Sequence, residues 1–372
     1  MSALEQWLMG LLLEHDVAML RVEAEAKARV LALLILMQKD LVSILANAPE
    51  MSMLGKAGKA AVLRESNAVI AEYYGKAALQ VDLFGIADVE ARGVQRALAA
   101  VIDRAAGQAG AEIRLGIGLP TENYLRKLAS DTIIQGGPAK AWWARQEQDT
   151  AFKLATQIRI GAAQGETNAQ IIKRIVGTEV TAKSVEGEAL VPGIMRLARK
   201  NAADIVQASM QTVAGEARRA TFQYNRDITN GIMQVSTLDG HTSQVCIAYS
   251  GACWDLDYEP INGNDLPYLS GVPRHWGCRS SEIAIMKTLR EMGIDMDEPD
   301  PGMRASSNGP ISAKTTFADF LKMMGPAYQD ETLGPGRAEL FRAGKLSPRD
   351  LVDMNGRPLK LEQLRERYGA VH

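Results

Sequence analysis

From Leu4 to Asn47 the chain runs through LEQWLMGLLLEHDVAMLRVEAEAKARVLALLILMQKDLVSILAN without a proline and with a single glycine, Gly10. Leu, Ala, Glu and Lys lose little side-chain freedom in a helix, and nothing in this run interrupts the backbone ladder. The stretch therefore reads as one or two long helices, and whatever else the chain builds must pack against them. The rest of the composition points the same way. Apolar residues make up 47% of the 372 residues but aromatics only 5%, so unbranched apolar side chains carry much of the core. The expectation is a mainly α protein with two or three cores, since a chain this long exceeds one ordinary core.

Charged residues at 23% place the chain among globular proteins and outside the disordered class. A formal net charge of −2 gives no overall basic footprint, which disfavours a dedicated reader of nucleic-acid sequence. Locally, residues 121–235 carry about four more basic than acidic side chains, and residues 236–372 about four more acidic ones. The opening MSALEQWLMGLLLEHD has no basic leader and does not read as a secretory signal, and Val30 to Met37 is too short to cross a bilayer. Three cysteines and no signal imply a reducing compartment, where a structural disulfide is disfavoured.

Along the chain, Asn47-Ala-Pro-Glu breaks the first helix, and helical composition resumes over Ala60 to Tyr74 and Ile86 to Ile113. Gly116 to Asn123 is a loop ending in an N-cap at Thr121, and Ile133 to Lys140 is the clearest punctuation of the first half. Further helices are expected up to Gly165, from Thr167-Asn168 to Gly177, and from Ile194 to Asn225, with Thr178 to Gly193 an exposed loop. The last helix carries a stripe at Val206, Met210, Val213, Ala217, Ala220 and Tyr224 that must face a partner. At Gly231 the pattern changes to strand alternation, Asp239-Gly240 marks a turn, and SSEIAIM reads as a returning strand. Asp297 to Pro310 is the best linker, followed by short helices opened by Thr316, Pro326 and Ser347-Pro348. The expected organisation is thus an N-terminal helical region (1–135), a second helical region (136–230), a small α+β module (231–296), a linker (297–310) and a short helical tail (311–372).

All three cysteines lie between Ser236 and Arg279, with two of the four histidines. Cys246, His275 and Cys278 supply ligand types that zinc prefers, and His275-x2-Cys278 has the spacing that lets two ligands reach one ion. Cys253, separated from Cys246 by six residues, His241 and Asp239 are the candidates for a fourth ligand. A Cys246 thiolate paired with His275 as a nucleophile is a second reading. A third is an apolar centre covered by Trp254 and Trp276, with His275 bonded to the backbone. Elsewhere, GIGLP at Gly116 lacks the lysine and preceding strand of a phosphate loop, and DMDEPD at Asp295 lacks the spacing of a calcium loop. Trp142 and Trp143 point about 100° apart on a helix, so one of them is expected to reach the core.

The order Asp239, Thr242, Cys246, Gly251, Pro273, His275, Cys278, Arg279 after a strand resembles the phage Mu F-like head morphogenesis proteins, also called minor capsid proteins. Two positions depart from that pattern: His241 stands where arginine or lysine is usual, and Ser280 where a further cysteine is common. The tail resembles those of some such proteins at Leu333-Gly334, Arg337, Leu340-Phe341 and Asp350-Leu351, so the likeness spans roughly Ile194 to Leu364. It implies a low-copy, non-enzymatic virion protein, placed inside the head near the portal during assembly in the host cytoplasm and acting in head morphogenesis, with room for a part in DNA packaging or ejection. The implied partners are the portal or major capsid protein, with room for non-specific contact with packaged DNA, and neither membrane nor small-molecule substrate. The alternative from another class is a metal- or cysteine-dependent enzyme using Cys246, His275 and Cys278.

Overall fold

A computed structural model describes residues 2–109, 115–177, 193–295, 297, 303–304, 309, 311–312 and 314–368. The helices are α1 (Ala3–Asn47), α2 (Lys56–Ala78), α3 (Leu83–Ala109), α4 (Glu122–Asp131), α5 (Ala139–Ala163), α6 (Asn168–Val176), α7 (Ile194–Tyr224), α8 (Gln244–Tyr249), α9 (Phe317–Met324), α10 (Pro326–Leu333), α11 (Pro335–Arg342) and α12 (Leu361–Tyr368). The strands are β1 (Ile133–Ile134), β2 (Gly137–Pro138), β3 (Thr229–Val235), β4 (Cys253–Asp255), β5 (Pro260–Ile261), β6 (Ser281–Met286), β7 (Met303–Arg304) and β8 (Ile311–Ser312). The protein is mainly α, with long helices before residue 225, a small sheet around the Cys/His region and a short helical end. It divides into two compact units assembled from non-consecutive segments: residues 1–18, 84–129 and 211–372, and residues 19–83 and 130–210. These cut across the sequential boundaries read from composition.

In the second unit, α1 runs antiparallel to both α2 and α7. Asp40 accepts from Tyr73 at 2.7 Å, Lys27 donates to Gln207 at 2.9 Å, and Arg199 donates to Gln38 at 2.5 Å. Val30, Leu34, Met37, Leu41 and Leu45 form the buried face of α1, at the i+3 and i+4 spacing of a core stripe. Ile35 and Leu36 stay exposed at 45% and 46%. By length and composition alone α1 is long and apolar enough to cross a bilayer, with an 18-residue window of mean hydropathy 1.7 that is 28% buried. Judging the span by Val30 to Met37 alone understated this, because the helix continues to Asn47. Helix α2 packs on α5 through Tyr74, whose hydroxyl lies 2.9 Å from Thr150 Oγ1. As expected, only one of the two adjacent tryptophans is in the core: Trp143 is buried, and Trp142 bonds Ile134 O from the side.

The first unit carries the antiparallel sheet β5-β4-β3-β6. Central strand β3 pairs Ile232 with Trp254 on one side and Ala284 on the other. Gly231 lies at an irregularity of this ladder, and a Cβ there would meet Trp254 O at 2.2 Å, so no larger residue fits. Adjacent residues of β4 serve different cores, as a period of two requires. Cys253 belongs to the core that contains Leu4, Leu8, Leu98 and Ile283, whereas Trp254 belongs to the core that contains Tyr249, Leu266, Phe320 and Leu351.

Three sequence expectations are revised. The α7 stripe is covered within the protein from Val206 to Ala220, and only Tyr224, 56% exposed, remains open. The stretch taken as pure linker contains β7, paired with β8, and α8 and α11 are helices the residue pattern did not announce. The loop expected at 178–193 lies, apart from Gly193, outside the described residues, as does most of 297–310.

Candidate metal centre in the Cys/His module

The pairing of β3 with β6 builds the site. Register places Val235 opposite Ser281, so the whole excursion from Ser236 to Ser280 leaves and returns at one point. Residues flanking the strands continue the match without a ladder. Ser280 donates to Ser236 at 3.1 Å, Thr237 Oγ1 donates to Arg279 O at 3.2 Å, and Arg279 grips Asp239 through two bonds of 2.6 and 2.8 Å. This forked pair is the strong geometry for arginine and carboxylate. Asp239 Oδ1 also accepts from His241 N and Thr242 Oγ1. Partial burial opposes its charge, but Arg279 and these donors hold the carboxyl below its usual range.

Cys246 is delivered by α8, whose N-cap Ser243 accepts from Cys246 N at 3.2 Å. Ser236 Oγ donates to Cys246 O at 2.7 Å and ties the helix back to β3. His275 and Cys278 come from a tight turn in which Cys278 N donates to His275 O at 3.1 Å. Gly277 takes φ 73° at its third position, the requirement of a type II turn, and this aims both side chains to one side.

The three meet: Cys246 Sγ lies 3.6 Å from Cys278 Sγ and 3.3 Å from His275 Nε2, and the ligand atoms all fall within 4.8 Å of one another. Both sulfurs are buried and the imidazole is half-buried. His275 Nδ1 lies 3.0 Å from Trp276 O; since a carbonyl only accepts, Nδ1 carries a hydrogen, and Nε2 is the ring nitrogen that faces Cys246 Sγ and Ser243 Oγ. The two thiols share a proton. The bond from Cys246 pulls Cys278 well below an ordinary thiol despite burial, with His275 adding to the effect, while Cys246, holding that proton and buried, is pushed well above. His275 is raised, first by Cys278 and against its partial burial. Two sulfurs and a nitrogen so placed can hold a metal ion.

The fourth-ligand candidates do not join them. Cys253 faces the other core and donates to Gly251 O at 3.4 Å, Asp239 belongs to Arg279, and His241 is exposed. Trp254 is buried away from the sulfurs in its own core and Trp276 is 40% exposed, so the tryptophan-capped arrangement does not form. Residues that the motif pattern did not single out complete the frame. Arg274 stacks 3.6 Å over the Tyr249 ring and donates to Gln234 Oε1 at 2.6 Å, and burial lowers its pKa. Buried Glu282 accepts from Tyr268 Oη and Val272 N, and pairs with Arg219 at 2.7 Å. Only Ser243 left a sequence signal, as a serine heading the short apolar run QVCIAY. No family model, curated protein or solved structure matches the chain.

Proposed function

We propose that this protein is a low-copy internal component of a tailed-phage head, contacting the portal or major capsid protein, with the Cys/His module as a rigid, zinc-fastened structural element. The observation that carries the reading is the convergence of Asp239 with Arg279, and of Cys246 with His275 and Cys278, from opposite ends of a long irregular excursion. These are the positions at which the sequence resembles head morphogenesis proteins. Zinc suits the donor set: tetrahedral bonds of about 2.3 Å to sulfur and about 2.0 Å to nitrogen separate two sulfurs by about 3.8 Å and sulfur from nitrogen by about 3.5 Å. The corresponding distances are 3.6 and 3.3 Å. The excursion holds Pro260, Pro267 and Pro273 between short elements, and a metal ion bound by Cys246, His275 and Cys278 would fasten its two ends together beside the core that Trp254 and Leu266 build.

A cysteine nucleophile is the less favoured reading, because Cys246 and Cys278 are each 2% exposed, which denies a substrate access to either sulfur. The test is quantitative proteomics on washed, intact particles together with elemental analysis of protein purified without chelator. A few copies per particle and about one equivalent of zinc are expected. Absence from particles overturns the virion role, and absence of zinc overturns the fastener.

A further inference from the structure

We infer that the metal held by Cys246, His275 and Cys278 has only three protein ligands, and that its fourth position, beside Ser243, is exchangeable and takes water or a small hydrogen-bond-accepting anion. This rests on the zinc reading above and extends it to the ligand count. Closed structural zinc sites use four protein ligands, whereas three leave a position for an outside ligand. Among the described residues no fourth His, Cys, Asp or Glu joins the group.

Hydroxyls surround the trio instead. Ser243 Oγ lies 2.8 Å from His275 Nε2, and Ser280 Oγ donates to Ser236 Oγ, which in turn donates to Cys246 O. A neutral serine hydroxyl is a weak zinc ligand but a good donor. When the Nε2 lone pair is committed to a metal, Ser243 loses its acceptor there, and its hydrogen is free to turn toward the occupant of the remaining corner. That occupant must therefore accept a hydrogen bond, which favours water, hydroxide or a small anion over an amine. The approach is not sealed, since His275 is half-buried and neighbouring Trp276 is 40% exposed.

Full-length protein loaded with cobalt(II) in place of zinc tests this. The sulfur-to-cobalt charge-transfer band reports uptake, and titration with azide reads the fourth position through the ligand-field band. A saturable azide shift is expected, and X-ray absorption at the zinc edge should show two sulfurs, one nitrogen and one oxygen. Ser243→Ala should keep uptake and weaken azide binding about tenfold by removing one donor to a charged ligand. Ser280→Cys places a third sulfur beside Cys246 and should keep uptake while abolishing the azide response. A cobalt band unmoved by azide in both the unaltered protein and Ser243→Ala, or a fourth sulfur or nitrogen at the zinc edge, overturns the open position and leaves the metal reading standing. Failure to take up either metal overturns both.

Discussion

Arg219 of α7 and Glu282 of β6 meet at 2.7 Å with side chains only 2% and 1% exposed, so a helix and a strand are joined by a charge pair that water does not reach. Glu282 also accepts from Tyr268 Oη at 3.0 Å and Val272 N at 3.1 Å, which fixes the chain just before Arg274 and His275. Removing the Glu282 charge leaves buried Arg219 balanced only by Glu216 at 2.9 Å, whose side chain is 39% exposed. Glu282→Gln is therefore expected to cost about 3–5 kcal/mol. Urea unfolding measures it, and a loss under about 1 kcal/mol would mean that the pair relaxes to solvent when broken.

The cysteines should separate by role. Cys278→Ala and Cys246→Ala are expected to abolish stoichiometric zinc, whereas Cys253→Ala should retain it and lose only about 1 kcal/mol for a small cavity in the core that Cys253 shares with Leu4 and Ile283. Elemental analysis with thermal unfolding of the three variants checks this. Equal zinc loss in all three would contradict the geometry.

Acid should weaken the first unit through Glu90. Burial disfavours its charge, yet Arg218 at 2.6 Å and His15 at 3.0 Å hold the carboxyl below its ordinary value of 4.5. Arg218 is further paired with Asp16 and Ser281. A carboxyl depressed by folding contributes stability that is fully present above its unfolded pKa and lost as pH falls through the lower folded value. The urea midpoint should therefore hold at neutral pH and fall below about pH 4.5, with Asp239, also depressed, adding to the slope. Glu90→Gln should start lower and flatten the profile. An unchanged slope would remove Glu90 from the account.

Asn168 should matter to the second unit out of proportion to its size. Its Oδ1 accepts from Met51 N at 3.0 Å, and its Nδ2 lies 2.9 Å from Leu45 O, 2.9 Å from Ala48 O and 3.3 Å from Pro49 O. It thereby serves carbonyls that the end of α1 leaves without helical partners. Asn168→Ala is expected to cost about 1–3 kcal/mol, since buried carbonyls and an amide are stranded. Hydrogen exchange should show the loss around Leu45 to Met51. Exchange there indistinguishable from the unaltered protein would argue against this role.

What the sequence determined was local. Helix-forming composition without proline specified α1, the capping boxes at Thr167 with Gln170 and at Thr316 with Asp319 fixed where α6 and α9 begin, and alternation marked β3 and β6. Each of these depends on residues within a few positions of one another, where propensity and capping act. The motif positions Cys246, His275 and Cys278 were also legible, because their side-chain chemistry and the tight His275-x2-Cys278 spacing are properties of the chain itself. Tertiary structure alone decided which groups meet. Only the register of Val235 with Ser281 brings Asp239 to Arg279, and only the alternation of β4 turns Cys253 away from the other two sulfurs. The division into two units made of scattered segments, and the ion pairs at Glu90 and Glu282, were equally hidden. Such contacts join residues far apart in sequence, and their energy is realised only once the backbone has closed the intervening loops, a condition no local pattern encodes.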